Sequence, residues 1–168
     1  MFKRVLTYGL PALALFVCVW ATRVFLAVDI VALFMRMAGL LAIGSVAVVS
    51  GLLPSVPLGI AYGLIRARPV LGAALTVAAI ACALELGFAS LSVSWWSFIT
   101  WWVLPTECLV MLAVFPAAAW LGSRLLTRLE PSTRRRIGIG VFVLLTLCAI
   151  ALASLYSCLQ AGTCGLGS

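Results

Sequence analysis

Long apolar segments, separated by short stretches that carry most of the charge, are the feature that most constrains this chain. Hydrophobic residues make up 65% of its 168 residues and charged residues only 9%, whereas soluble domains are about half apolar and about a quarter charged. A single small globule could not hide so much apolar surface from water. The composition therefore predicts an all-α, polytopic helical bundle that is embedded in a lipid bilayer.

The apolar segments are long enough for about five membrane spans, since a helix needs about 20 residues to cross a hydrocarbon core about 30 Å thick. All of them belong to one membrane domain that covers residues 1–168. The spans are predicted over residues 5–21, 37–65, 69–90, 105–126 and 137–156.

The second span is long for one crossing and contains two prolines. Pro54 and Pro57 each remove a backbone donor, which predicts a kinked or broken helix at this point. Broken helices often mark binding sites in transporters, although membrane helices also tolerate a simple proline kink. Gly59 and Gly63 in the same span form a GxxxG pair that could seat a neighbouring helix.

The positions of the basic residues predict the orientation of the chain. With the N-terminus in the cytoplasm, only Arg23 and Arg36 of the 11 basic residues fall on the outer side. The positive-inside rule therefore favours a cytoplasmic N-terminus and a periplasmic or extracellular C-terminus. On the inner side, Arg134, Arg135 and Arg136 are expected to contact anionic lipid headgroups. We expect a multi-pass protein of a cell membrane, such as a bacterial inner membrane.

The cysteines agree with this orientation. Cys158 and Cys164 follow the last span, and in an oxidising periplasm they could close a small disulfide loop. The other cysteines lie within spans and are expected to pack as small hydrophobic residues; they are Cys18, Cys82, Cys108 and Cys148.

The chemistry of the side chains argues against several kinds of ligand. The chain contains no histidine, and its cysteines form no CxxC pair, so neither a metal nor another cofactor is expected. Three adjacent arginines at a membrane surface are a poor nucleic-acid site, so we expect no nucleic-acid partner. The expected surroundings are the bilayer, including its anionic lipids, and a membrane-protein partner or a second copy of the chain.

Two glutamates raise the main functional question, because only 4 residues of the chain are acidic. Glu85 and Glu107 flank a tryptophan-rich segment. If the third and fourth spans form an antiparallel hairpin, each glutamate lies 17 residues from an inner arginine, Arg68 or Arg124, which is about 25 Å of helix. The two carboxylates are therefore predicted to lie at a similar depth, a little below the outer edge of the hydrocarbon core.

The neighbours of each glutamate suggest how it is accommodated. The residues one or two turns from Glu85 are small, namely Ala78, Ala81, Cys82 and Ala89. A neighbouring helix can approach closely there, so Glu85 is predicted to face protein rather than lipid. Glu107 follows Pro105 and is expected in the first turn of its helix, where the helix dipole favours a carboxylate. Residues 90–104, between the spans, are expected to lie along the outer interface.

Two interpretations of the glutamates remain open. Two carboxylates close together resist double ionisation, so one of them would hold a proton, which suits proton-coupled transport or cation binding. Alternatively, Arg23 and Arg36, with Asp29 between them, are placed at the outer rim by the first hairpin. They could form ion pairs with Glu85 or Glu107 that tie the hairpins together without any transport role. Ion pairing is the preferred interpretation.

Two short segments resemble segments of the VanZ-like membrane proteins. The stretch "PLGIAYGLI", which begins at Pro57, is similar to that family's "PLGF", and "LEL" around Glu85 is similar to its "IEL", at a comparable separation. The resemblance is limited to the second and third spans. The asparagine and the glutamine that the family pattern would place around these segments are absent, so no activity or site residue is carried over to this chain.

Three functions are compatible with these features. The preferred hypothesis is a non-catalytic helix-packing module or accessory subunit of a membrane complex, which needs little side-chain chemistry. The second is a small proton- or cation-coupled transporter or channel that uses Glu85 and Glu107. The third is an intramembrane enzyme that would use the glutamates and the outer arginines on a lipid-linked phosphate. It is ranked last, because the sequence contains no recognisable nucleophile and base.

Overall fold

The computed structural model describes residues 5–34, 39–66, 70–91, 97–125, 127 and 130–160. Within these ranges a short π-helical turn, Val5–Gly9, leads directly into the first of five α-helices, and there are no strands. The helices are α1 (Leu10–Phe34), α2 (Gly39–Ile65), α3 (Val70–Leu91), α4 (Ser97–Arg124) and α5 (Pro131–Gln160).

Four of the helices are long and apolar enough to cross a membrane. Their spanning segments are Ala47–Ile65, Val70–Ser90, Val103–Arg124 and Pro131–Leu155. A further apolar segment, Thr7–Arg23, lies in the part of the first helix whose side chains the structure describes, and α1 itself continues to Phe34. The prediction of an all-α membrane helical bundle is confirmed, while the orientation of the termini stays a prediction.

Four helices form a closed ring around the core, in which α1 contacts α2, α2 contacts α4, α4 contacts α3, and α3 contacts α1. The α2–α4 interface is the most extensive, whereas α2 and α3 lie diagonally and hardly touch. The last helix, α5, packs outside the ring against α2 and α1. Its outward side chains are largely exposed, and Leu144 is an example.

Glycines allow α2 and α4 to approach so closely. A Cβ placed on Gly59 would lie 2.8 Å from the Phe115 carbonyl oxygen, and one on Gly63 would collide with the Ala119 carbonyl oxygen. From the other side, a Cβ on Gly122 would collide with the backbone of α2 at Ile60. The GxxxG pair of α2 therefore seats α4, backbone against backbone, as small residues do in membrane helices.

The second span, predicted to be kinked or broken, is unbroken in the structure, and a kink at the prolines stays a prediction. The helix α2 continues through Pro54 and Pro57 to Ile65. Each proline leaves one carbonyl, four residues earlier, without its usual helical donor. The close packing on α4 supports the helix on both sides of these positions, as neighbouring helices do in membranes.

The fourth predicted span also begins earlier than expected. Helix α4 starts at Ser97, and both Val103 and Leu104 are buried in the bundle. Residues 97–104 are thus part of a helix, and their location at the outer interface stays a prediction; residues 92–96 lie outside the described residues. The helices α1 and α5 likewise extend beyond their predicted spans, to Phe34 and to Gln160.

The cysteines divide into two groups. Cys158 is disulfide-bonded, but its predicted partner, Cys164, lies outside the described residues, so the pairing stays a prediction. The free cysteines are Cys18, Cys82, Cys108 and Cys148. Of these, Cys18 and Cys82 are buried in the apolar core.

Candidate functional site

Four polar side chains meet inside the ring, and each comes from a different helix. We call them the polar quartet: Arg23 of α1, Ser50 of α2, Glu85 of α3 and Glu107 of α4. The Glu85 and Glu107 side chains are 1% and 0% exposed, and that of Arg23 is 21% exposed. Ser50 is fully buried. The quartet therefore places charged groups among apolar helices, where they need each other as partners.

Arg23 lies at the centre of the quartet. Its Nη2 donates to Glu85 Oε2 at 2.7 Å and also to Glu107 Oε2. Its Nε donates to Glu107 Oε1 at 3.0 Å. The pair of bonds to Glu107 has the forked geometry in which arginine binds a carboxylate most strongly. One guanidinium thus connects α1 to both α3 and α4.

Glu107 is fully satisfied as a carboxylate. The Ser50 hydroxyl donates to Glu107 Oε1, so this carboxylate accepts three hydrogen bonds through its two oxygens. Hydrogen bonds of this kind favour the ionised form of a carboxyl group. Glu107 lies about three turns inside α4. The predicted stabilisation by the dipole of a first helical turn is therefore wrong, and the quartet provides the stabilisation instead.

Glu85 is only half satisfied. Its Oε2 pairs with Arg23, but its Oε1 is buried and has no hydrogen-bond partner among the described residues. The nearby Cys82 directs its thiol to the Cys108 carbonyl oxygen at 3.7 Å. If both glutamates were ionised, two carboxylates would face one guanidinium, and the core would carry one uncompensated negative charge.

Aromatic side chains of α1 and α3 pack against each other next to the ion pairs of Arg23. The Phe88 ring contacts the Phe16 and Trp20 rings edge-on, at centroid distances of 5.9 and 6.4 Å. Phe88 lies about one turn beyond Glu85, and Trp20 about one turn before Arg23. Edge-to-face contacts of this kind add to the stability of packed helices.

The structure brings three of the predicted site residues together: Arg23, Glu85 and Glu107. Asp29 lies on α1, but its side chain is outside the described residues, and so is Arg36. Their participation stays a prediction.

Sequence reasoning missed Ser50, although a signal for it exists. Ser50 and Glu85 are each 15 residues from the ends of α2 and α3 that adjoin the loop between them. Their equal depth could have been calculated as it was for the two glutamates.

A second polar cluster lies at the opposite end of the bundle, which we call the Arg66 end. Arg66 donates to the Tyr62 hydroxyl at 2.7 Å and to the Tyr8 hydroxyl at 3.1 Å. Its guanidinium also stacks 4.8 Å from the centre of the Tyr8 ring. These contacts hold the π-helical turn that contains Tyr8 against the end of α2.

The arginines predicted to contact lipid headgroups begin α5. Arg134 is half-buried and donates to the Ser123 carbonyl oxygen at 3.4 Å, whereas Arg135 and Arg136 are exposed. The two exposed arginines are free to interact with anionic headgroups, a contact that stays a prediction.

Known proteins offer no guide to this site. No family model, no curated protein and no solved structure matches the chain, so the resemblance of two segments to VanZ-like proteins gains no support. Among the described residues, no group of three or more histidine, cysteine or acidic side chains could hold a metal ion. The function must be argued from the quartet itself.

Replacing Ser50 with alanine is expected to destabilise the protein by about 1.5–3 kcal/mol, because Glu107 loses a donor to its charged oxygen. Ser55 is the matched control, since it lies on the same helix, is also fully buried, and its hydroxyl has no partner among the described residues. Replacement of Ser55 with alanine should be neutral or stabilising. Thermal unfolding in detergent would compare the two, and equal losses would contradict the assigned hydrogen bond.

Proposed function

We propose that this chain is a small proton-coupled membrane transporter in which Glu85 binds the proton. The observation that carries the proposal is the charge imbalance of the quartet, where Arg23 is the one cation among the described residues that pairs with Glu85 and Glu107. An uncompensated charge in an apolar interior is costly, and a carboxyl group avoids that cost by taking up a proton. Ionisable groups inside membranes often mark proton relays.

Glu85 is the better of the two carboxyl groups for this role. Glu107 accepts hydrogen bonds from Arg23 and Ser50 on both of its oxygens, which favours its ionised form. Glu85 accepts only through Oε2 and leaves Oε1 unused. A proton needs a single oxygen, whereas hard metal cations need several oxygen ligands. The arrangement therefore favours a proton over a metal ion.

A second candidate function is a non-catalytic packing module or an accessory subunit. It is favoured by the fact that the quartet takes one residue from each ring helix and so serves as a structural tie. The exposed outer side of α5, with Leu144, Leu147 and Leu155, would then face lipid, another membrane protein or a second copy. The enzyme hypothesis has less support, because Arg23, which would bind a phosphate, is already held by two carboxylates.

We propose the cytoplasmic membrane of a bacterium as the location, with the N-terminus inside. The support is the concentration of exposed cations at the Arg66 end, where Arg124, Arg135 and Arg136 also lie. Impermeant thiol labelling of whole cells tests this orientation. Cys158 should react only after reduction and without permeabilisation of the membrane. Labelling that requires permeabilised cells would reverse the orientation.

Transport can be tested in proteoliposomes that contain a pH-sensitive dye. We expect a proton gradient to drive proton movement with the wild-type protein and with the Glu130→Gln variant, whose altered carboxylate is exposed in the α4–α5 connection. The Glu85→Gln variant should abolish the movement. An unchanged flux in Glu85→Gln would remove the case for transport. Co-purification of the wild-type chain with one membrane protein, together with an absence of flux, would favour the accessory-subunit function.

The two glutamates should differ in their effect on stability. A glutamine at position 85 can still accept a hydrogen bond from Arg23 and, like the protonated Glu85 side chain, carries no charge, so Glu85→Gln should be neutral or stabilising. A glutamine at position 107 would place an amide donor against Arg23 or Ser50, which are themselves donors, so Glu107→Gln should destabilise the protein. Thermal unfolding in detergent measures both, and a reversed order would contradict the assignment of roles.

A further inference from the structure

Apolar layers fill the ring between the quartet and the Arg66 end. Residues four positions from each quartet member, in the direction of that end, share its helix face and lie about one turn away. All four are buried, and they form the first layer: Val19, Pro54, Ala81 and Met111. Each ring helix contributes one of them, so this layer is closed on every side of the ring.

A second layer repeats the pattern another four residues along each helix. It consists of Leu15, Leu58, Val77 and Phe115, all of which are at most 1% exposed. This layer lies about 12 Å from the quartet, by the rise of eight helical residues. Phe115 in turn stacks on Tyr62 at a centroid distance of 5.7 Å. Apolar packing therefore extends from the quartet to the Tyr62 hydroxyl group, which accepts a hydrogen bond from Arg66.

Along α3 the opposite direction is much shorter, whereas α1, α2 and α4 continue for about 15–17 Å beyond the quartet. From Glu85 to the end of α3 at Leu91 is about 9 Å of helix, whereas from Glu85 back to Val70 is about 22 Å. Ala89, the residue one turn beyond Glu85, is only half-buried. We call this nearer side the quartet end of the bundle.

In the described part of each ring helix, the charged and titratable side chains that face Glu85 can be named. Arg23 approaches from α1, Glu107 and Cys108 from α4, and Cys82 lies on α3 itself. The α2 residue of the quartet, Ser50, does not titrate. No ionisable side chain occurs in the first or second layer, so neither layer could relay a proton.

We infer that Glu85 exchanges its proton with water only through the quartet end, and that the apolar layers close the site toward the Arg66 end. This inference rests on the proposed function and adds its sidedness. The structure is then the conformation of a transporter that is closed on one side. Transport would require the second layer, around Leu58 and Phe115, to open.

The test follows the infrared absorption of the protonated carboxyl group that disappears in Glu85→Gln. The wild-type protein is reconstituted in vesicles with one orientation, which is established by protease accessibility. Protons are delivered outside by rapid mixing or inside from an entrapped light-activated proton donor. Delivery at the quartet end should change the band about a hundredfold faster than delivery at the Arg66 end, the factor that corresponds to the insertion cost of a charge at mid-membrane.

The outcomes separate the inference from the function on which it rests. Equal rates from both sides, or a faster response from the Arg66 end, would overturn the sidedness while leaving Glu85 as the proton site. The absence of any band that depends on Glu85 would overturn the proposed function, and the sidedness with it.

A hydroxyl group in the second layer should weaken the barrier selectively. In Leu58→Ser we expect the response to protons from the Arg66 end to become faster. In Leu144→Ser, the same change on the exposed face of α5, the rates should stay as in the wild type. If Leu58→Ser does not fold, Val77→Thr places a hydroxyl in the same layer with little change of shape. If a folded variant responded to protons from the Arg66 end at the wild-type rate, the second layer would not be the barrier to protons.

Discussion

Replacing Arg23 with glutamine is expected to destabilise the folded bundle by about 3–5 kcal/mol, the usual cost of removing one partner from a buried ion pair. The guanidinium is the shared partner of Glu85 and Glu107. Without it, two buried carboxyl groups face each other, and Ser50 is the one donor to them that remains among the described residues. Unfolding of the purified protein in detergent, followed by tryptophan fluorescence, would measure the loss.

Two further variants separate charge from geometry at Arg23. Arg23→Lys keeps the charge but loses the fork that binds Glu107 through two nitrogens. Its stability should therefore lie between that of the wild type and that of Arg23→Gln. Arg124→Gln makes the same chemical change at an exposed arginine that stacks 4.6 Å from the centre of the Trp120 ring, and it should have little effect. If Arg23→Gln were as stable as Arg124→Gln, the quartet would not hold the ring helices together.

Replacing Gly63 with alanine is expected to cost about 1–3 kcal/mol, the range for overpacking a close-packed interior. The new methyl group would collide with the backbone carbonyl of Ala119, which cannot move aside as the end of a flexible side chain can. Because α2 and α4 carry Ser50 and Glu107, we also expect their separation to weaken the quartet. Thermal unfolding should therefore show a lower midpoint.

Gly72 supplies the matched control for Gly63. It lies in the first turn of α3, and a Cβ placed on it meets no atom within 4 Å. Replacement of Gly72 with alanine should be neutral or slightly stabilising, since alanine is the better helix former. An equal loss in both variants would show that glycine flexibility, rather than the α2–α4 contact, is what matters at these positions.

The depth of the glutamates could be predicted from sequence because helix geometry converts residue number into distance. Glu85 and Glu107 indeed bind one guanidinium, which requires similar depth and facing sides. Helix geometry did not show which arginine pairs with the two glutamates. Arg23 and Arg36 were equivalent in the sequence, and the structure shows the pairing of Arg23 with both glutamates, whereas Arg36 lies outside the described residues.

Other features depended on tertiary contacts that a single sequence does not contain. Residues 97–104 were expected to lie between the spans, yet they belong to helix α4, in which Val103 and Leu104 find buried positions. Pro54 and Pro57 predicted a kink or a break, yet α2 is unbroken and its glycines pack closely against α4. In both cases packing overrides local preference.

The quartet and the apolar layers together show how few polar residues the proposed proton site needs. Ser50, Glu85, Glu107 and Arg23 lie at one depth, and the eight layer residues below them carry no ionisable side chain. Each quartet member also has its layer residues on the same face of its own helix. A local change at Glu85 would therefore act on the packing of the whole ring.

The central claim, that the quartet holds one excess proton, is tested most directly by infrared spectroscopy of the purified protein at neutral pH. We predict an absorption band of one protonated carboxyl group in the wild type and in Glu130→Gln. The band should vanish in Glu85→Gln, because the remaining carboxylate then balances Arg23. A wild-type spectrum without such a band, or a band that persists in Glu85→Gln, would contradict the claim.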